Sequence, residues 1–223
     1  MRNIIGSVFQ SLDGVMQSPG RPEEDRSGGF TLGGWLGAFT DATTSDALRA
    51  ILLGAPYDLL LGRKTYDLFA AYWPFQSDEN PIAARFNAAT KYFLSSKPAQ
   101  LDWPTACRLD SIAAVAELKA TAGPDLLIQG SSTLYSQLLQ AGLLDQVTIH
   151  TFPLLLGRGK RLFSAETPTA GLQLVQHVVS QMGVIIATYT PTGQPLALAS
   201  EPPNPSAAEI ARREQVLREG AEG

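Results

Sequence analysis

The sequence predicts an α/β fold in three layers, α/β/α, with a mostly parallel central sheet and a C-terminal antiparallel hairpin. Three observations predict it. Short apolar runs alternate with amphipathic stretches of helical period, the pattern of a parallel sheet covered on both faces. Two runs end in a glycine that opens a helix: Tyr57-Asp58-Leu59-Leu60-Leu61-Gly62-Arg63-Lys64-Thr65-Tyr66 and Asp125-Leu126-Leu127-Ile128-Gln129-Gly130-Ser131-Ser132-Thr133-Leu134-Tyr135. The last two runs, Leu172–Val179 and Val184–Tyr189, are joined by turn residues near Gln181-Met182-Gly183, which closes a hairpin.

In chain order, residues 3–10 read as a first strand ending at the turn signal Ser11-Leu12-Asp13-Gly14. Seven glycines between Gly14 and Gly37 make that segment a long loop, and long loops in compact domains are often lids or binding loops. A helix is expected over 44–53, capped by Thr43 or Thr44 and stopped by Gly54. A strand at 57–61 leads to a helix at 64–71, and Trp73-Pro74-Phe75 breaks the chain. Pro81 opens a helix to residue 89, the first-turn position proline tolerates. Lys91–Leu94 is a short strand ending in Ser95-Ser96-Lys97-Pro98. A helix over 112–120 capped by Ser111, a strand over 126–129 and a helix over 133–140 follow. Residues 146–156 read as a long strand in which Pro153, lacking an N–H, demands an edge or a bulge. Beyond Pro191, four prolines over 194–205 mark a linker. Ser206-Ala207-Ala208-Glu209 has capping-box spacing before a charged helix over 210–219, expected to be frayed.

Composition narrows the chemistry. Hydrophobic residues at 44% and charged residues at 17% over 223 residues support one substantial core. With net charge −4 and no basic run or aromatic-basic interleaving, nucleic acid is a poor partner. One cysteine, Cys107, excludes an internal disulfide framework and reads as a packed thiol in a reducing compartment. Two histidines and one cysteine make zinc an unsuitable metal, and both His150 and His177 sit in strand patterns as structural residues. No apolar run reaches the length of a membrane span, and the N-terminus lacks a signal-peptide pattern, so a cytoplasmic protein is expected.

The two strand–glycine–helix turns carry the functional signal. First-turn N–H groups have no partner within the helix and lie at the positive end of its dipole, so they bind phosphate. Two such turns in one domain suit a ligand with more than one phosphate. Arg63, after Gly62, is placed to take the 2′-phosphate of NADPH bidentately, with Lys64 adding field and Thr65 a hydroxyl. Ser95 and Ser96 end another strand and reach the same phosphate or its ribose. Gly130, Ser131 and Ser132 take the pyrophosphate. In open α/β sheets ligands bind outside the carboxyl ends of strands, where all three segments lie. Other nucleotide motifs fail on spacing. Gly157-Arg158-Gly159-Lys160 is followed by Arg161 where a Walker loop needs Ser or Thr, and Leu154 stands in place of its first glycine. Gly28-Gly29-Phe30-Thr31-Leu32-Gly33 does not make a Rossmann fingerprint.

Leu60-Leu61-Gly62-Arg63-Lys64-Thr65-Tyr66-Asp67 followed by Tyr72-Trp73-Pro74 resembles the dihydrofolate reductase-like superfamily, and in particular the bacterial branch that shares the reductase domain of riboflavin biosynthesis. Ser11-Leu12-Asp13-Gly14, Leu143-Leu144-Asp145-Gln146-Val147 and the segment from Pro153 to Phe163 resemble that branch in the same order. The resemblance implies a dihydrofolate reductase-like domain over 1–190, with 191–223 as a proline-rich linker and short charged helix outside it. It implies an NADPH-dependent reductase of a small substrate, with Gly62, Arg63, Lys64, Thr65, Leu94, Ser95, Ser96, Gly130, Ser131, Ser132 and Leu134 on the cofactor, and a homodimer through the late strands. Asp13 falls where the branch faces nicotinamide and substrate; it reads as a substrate-facing catalytic carboxylate or as the cap of the Gly14 turn. Trp35 and Phe39 read as an aromatic wall for a planar heterocycle or as lid residues packed on the core. Serine follows Gly130 where true dihydrofolate reductases carry paired glycines, which weakens folate chemistry more than cofactor binding. A non-catalytic NADPH-binding sensor or scaffold is the alternative reading.

Overall fold

The computed structural model describes residues 1–98, 102–193 and 204–221. Its strands are β1 (Ile4–Ser11), β2 (Tyr57–Gly62), β3 (Lys91–Leu94), β4 (Ala106–Leu109), β5 (Asp125–Gln129), β6 (Gln146–Phe152), β7 (Leu172–Val179) and β8 (Ile185–Pro191). They form one mixed sheet in the order β4-β3-β2-β5-β1-β6-β8-β7. Strands β1 to β6 pair in parallel, while β8 runs antiparallel to both β6 and β7. The helices are α1 (Ala42–Leu53), α2 (Arg63–Ala70), α3 (Pro81–Ala88), α4 (Ile112–Ala120), α5 (Ser132–Gln140) and α6 (Ala207–Ala221). No helix among the described residues is long and apolar enough to cross a membrane.

Side-chain alternation along the strands divides the core into the expected layers. On one face Leu59, Leu61, Phe93 and Leu127 pack with Leu52 of α1, Tyr66 of α2 and Phe86 of α3. On the other, Ile4, Leu60, Leu126, Ile128 and Val147 pack with Val115 of α4 and Leu134, Tyr135 and Leu138 of α5. A third cluster, Trp35, Phe152, Val184 and Ile186, sits beneath the short turn at Trp35–Phe39. Each fully buried Leu or Phe of this kind contributes about 1.5–3 kcal/mol of transfer free energy.

Local chemistry sets the boundaries. The α1 cap is Asp41, whose carboxylate accepts from Thr44 N while the Thr44 hydroxyl accepts from Asp41 N; the expected caps Thr43 and Thr44 lie inside the helix. Asn80 caps α3 and Ser111 caps α4. Strand β6 stops at Phe152, one residue before Pro153. Strand β4 was not expected: Ala106-Cys107-Arg108-Leu109 has no alternating pattern, yet it pairs in register with all of β3. Cys107 is exposed on that edge strand rather than packed. The linker expected over 194–205 lies mostly outside the described residues, and α6 extends to Ala221.

The amino edges of the strands are tied by ion pairs and charge-assisted bonds. Buried Arg2 reaches Asp58 at 2.5 Å and the Pro124 carbonyl at 2.5 Å. Lys119 pairs with Asp145, whose carboxylate also accepts from Ile4 N at 2.7 Å. Central strand β1 meets α5 so closely at Gly6 that an added Cβ would fall 2.5 Å from Tyr135 Cε1 and 2.6 Å from its Oη. Because Tyr135 is fully buried it has no room to retreat. Gly6→Ala is therefore expected to destabilise the fold by about 1–3 kcal/mol in urea denaturation.

Candidate functional site

Register brings the predicted strand ends together. Gly62 at the end of β2 is the partner of Leu94 at the end of β3, and β2 lies directly beside β5, whose last residue is Gln129. Ser131 joins the two turns. Its hydroxyl accepts from Gly62 N at 2.7 Å and shares a hydrogen bond with Thr65 Oγ1 at 2.7 Å. A Cβ at Gly62 would stand 2.5 Å from Ser131 Oγ, so Gly62 makes room for its neighbouring turn rather than for a ligand.

This clasp explains an unusual backbone. Gly130 has φ +84 and Ser131 has φ +76, ψ +80, a left-handed conformation costing a non-glycine residue about 1–2 kcal/mol. The hydroxyl's two hydrogen bonds offset that cost, at about 0.5–1.5 kcal/mol each. Although serine stands where paired glycines would put a second glycine, Ser131 occupies a glycine-type conformation and has no side-chain bond to its own helix. The N-termini of α2 and α5 consequently meet at one place, with first-turn N–H groups that have no carbonyl within their own helices.

The other cofactor candidates divide. Lys64 is exposed, and Arg63 lies 38% exposed with Nε 2.7 Å from Asp67 and Nη1 3.3 Å from the Pro98 carbonyl. Ser95 is buried and its hydroxyl bonds within its own turn, donating to Lys97 O and accepting from Lys97 N; Ser96 is exposed beside it. Ser132 is the half-buried first residue of α5. Leu134 is corrected: its side chain is 1% exposed in the core beneath α5, and only its N–H, 3.0 Å from Ser131 O, touches the turn.

The segment from Gly14 to Thr40 is anchored rather than loose. Gln17 is its hub: the side chain donates to Asp25 O and Ser27 O and accepts from Lys160 N, while its carbonyl accepts from Trp35 Nε1. Lys160 also pairs with Asp25, and Arg21 lies 4.0 Å above the Tyr72 ring of the α2 side. Trp35 is 7% exposed and, with Phe39, stacks edge-on against Phe152, so these rings pack the core beneath the segment; the aromatic wall is not formed by Trp35. Gln17 was not singled out from the sequence and Lys160 was read only as part of a turn, because the contacts that join them to each other and to Asp25 cross from one end of the chain to the other.

Asp13 also takes its structural role. The Ser11 hydroxyl donates to it at 2.6 Å, and the Leu156 and Gly157 N–H groups at 3.1 and 2.8 Å. The Ser11 hydrogen bond, joined by the two backbone donors, holds its carboxyl at about 2, so it is ionised at neutral pH and is no proton reservoir. Asp41, bonded by Thr44 N and Met182 N, is likewise held at about 2. The Asp13 carboxyl is depressed in the fold, so its stabilisation is complete above about pH 4 and is lost as pH falls through about 2. Asp13→Asn is expected to lower Tm at pH 7 and to flatten the acid limb of the stability–pH curve in that window, read by thermal melts at stepped pH.

Known proteins share this fold. A family model described as the RibD C-terminal domain matches residues 2–186. An uncharacterized Bacillus subtilis (strain 168) protein, YyaP, is 28% identical over 135 residues, covering 59% of this chain and 72% of its own. A solved structure of a Shewanella sp. PV-4 protein, provisionally assigned to riboflavin biosynthesis, superposes with TM-score 0.63 at 21% identity, over 86% of this chain and 99% of that one. Dihydrofolate reductase from Enterococcus faecalis, complexed with NADP(H) and RAB-propyl, superposes with TM-score 0.53 at 15% identity, over 85% of this chain and 96% of that one. The chain belongs to the RibD C-terminal domain family and shares its fold with dihydrofolate reductase, and that membership supports a reductase-like function.

Proposed function

We propose that this chain is an NADPH-dependent reductase that delivers hydride to a small acceptor, a pterin- or pyrimidine-like heterocycle or a carbonyl compound. The observation that carries the reading is the Ser131 clasp, which holds the N-termini of α2 and α5 side by side on neighbouring strands. Pyrophosphate fits the Gly130–Ser132 turn, and the adenosine side fits the Leu94–Ser96 strand end next to Gly62. When bound, NADPH supplies the hydride. The chain's own residues orient the nucleotide and, through the anchored 14–40 segment, exclude water.

Arg63 and Lys64 suit the 2′-phosphate. The Arg63–Asp67 pair is half-exposed, and such surface pairs are worth about 0–1 kcal/mol, whereas charge-assisted bonds contribute about 1.5–3 kcal/mol. Exchange of Asp67 for phosphate therefore favours the bound state. Arg63→Ala is expected to weaken NADPH binding by about 1.5–3 kcal/mol, and NADH binding far less, in nicotinamide fluorescence titrations. Equal losses for the two nucleotides would remove the 2′-phosphate role.

One observation favours a second reading, an NADPH-binding sensor or scaffold without turnover: both Asp13 and Asp41 are ionised and committed to structural hydrogen bonds. Saturable NADPH binding with no oxidation across pterin, pyrimidine and carbonyl acceptors would select it.

The late strands supply a partner surface for a second copy of the chain. Strand β7 is the sheet edge, and Leu174, Val175, Val178 and Val179 stand exposed along it, beside Ile185 of β8. An open apolar edge of this kind pairs with another strand unless covered. A homodimer through β7 is expected in light scattering, and the double variant Val175→Lys/Val179→Lys is expected to shift the mass to that of a monomer.

A further inference from the structure

Acid–base pairs hold the amino ends of the strands, and one acid is left over. Asp58 is paired with Arg2, and Asp145 with Lys119. Asp125, the first residue of β5, has no cationic partner among the described residues. Its Oδ1 accepts from Asn3 N at 2.8 Å, and Oδ2 has no hydrogen bond among the described residues.

Asp125 lines a cleft. Register makes it the partner of Tyr57 on β2, and makes Ile5 of β1 the partner of both Leu127 and Gln146. Strand alternation puts Asp125 with Leu127, and Gln146 with Thr148, on the face covered by α1. Over this row the C-terminal half of α1 offers Ala50 and Ile51, and the next turn offers Ala55 and Pro56. These side chains do not close onto the sheet, and a cleft of about 140 Å³ remains. Protein interiors are close-packed, so apolar walls left apart by this much are a place for something else. Ala50 is exposed at the mouth. The strands run on for six residues from Ile5 to Ser11, about 20 Å, before reaching the end where the nucleotide turns lie. The cleft is therefore separate from the site described above and does not rest on the reductase reading.

We propose that this cleft is a second ligand site, and that its ligand is a short aliphatic primary ammonium. Asp125 supplies the counter-charge through Oδ2. A single open carboxylate oxygen suits a compact ammonium, whereas a guanidinium binds best to both oxygens, and Asn3 N–H holds one of them. A divalent cation needs several oxygen ligands, and no group of three or more His, Cys, Asp or Glu side chains that could hold a metal ion occurs among the described residues. The other polar side chains on the cleft, Gln146, Thr148 and Tyr57, are neutral, so Asp125 alone sets its sign. Arg85, the cation over Tyr57, is bonded to the Gly54 and Ala55 carbonyls and does not line the cleft. Ile5, Ile51 and Leu127 receive the alkyl chain. At roughly 30 Å³ for each water-sized group, the volume takes an ammonium and about four carbons. An anion of the same length would lose hydration there and meet a like charge.

The test compares charge at constant length. Full-length protein labelled with nitrogen-15 is titrated with butylammonium, 1-butanol and butyrate at matched pH and ionic strength, and the amide signals of Asn3, Ile5 and Leu127 are followed by NMR. Butylammonium is expected to shift them saturably and to bind about tenfold or more tighter than 1-butanol, with butyrate weaker than both. Asp125→Asn keeps an oxygen for Asn3 N and removes the charge. In it the amine and the alcohol are expected to bind within about twofold of each other. Ala50→Phe fills the mouth from an exposed position and is expected to abolish the shifts from both ligands. No saturable shift with butylammonium, equal affinity for amine and alcohol in wild type, or an amine preference that survives Asp125→Asn would overturn the proposal. If Asp125→Asn does not fold, Ala50→Phe decides: amine binding lost there upholds the cleft, and amine binding retained rejects it.

Discussion

The site depends on one hydroxyl. Ser131 Oγ bonds Gly62 N and Thr65 Oγ1, and this closes two helix N-termini onto each other across adjacent strands. The arrangement stands only because Gly62 offers no Cβ and because the backbone accepts a left-handed residue at position 131. Each concession is unfavourable alone; together they bring two helix N-termini side by side at the ends of adjacent strands. Strain held in place by hydrogen bonds at a turn is the usual signature of a functional segment.

A second theme is that carboxylates near the site act as fasteners. Asp13 ties the end of β1 to residues 156–157, Asp25 ties the covering segment to Lys160, and Asp41 ties the start of α1 to Met182 in the β7–β8 turn. Each joins positions more than a hundred residues apart in sequence. These carboxylates are committed to hydrogen bonds and ion pairs within the fold, while the helix N-termini present a field that favours anions.

The parallel sheet, the layer of helices on each face and the closing hairpin were legible because each element carries its own periodicity and its own punctuation, as with Gly54, Pro81 and Ser111. The two strand–glycine–helix turns were legible for the same reason: glycine followed by Arg-Lys-Thr or Ser-Ser is a local signal. What failed was whatever is decided across strands. Ala106–Leu109 becomes a strand only because β3 presents an open edge to it. Leu134 reads as part of a binding turn, but the pitch of α5 rotates it into the core. Asp125 and Thr148 are ordinary residues until register and α1 set them in one cleft. Asp13 resembles a catalytic carboxylate because its fasteners, Leu156 and Gly157, come from the far side of the chain.

The order of strands bears on how this chain reaches its fold. Strand β1 is made first, yet its two neighbours are β5 and β6, which begin at Asp125 and Gln146. The clips that seat its start, Arg2 to Asp58 and Ile4 N to Asp145, likewise await distant sequence. A nascent chain on the ribosome therefore holds Ile4–Ser11 unpaired until most of the protein has emerged, and contacts of such long sequence separation make folding slow. During that interval an apolar segment with unpaired N–H and C=O groups lies open to other chains.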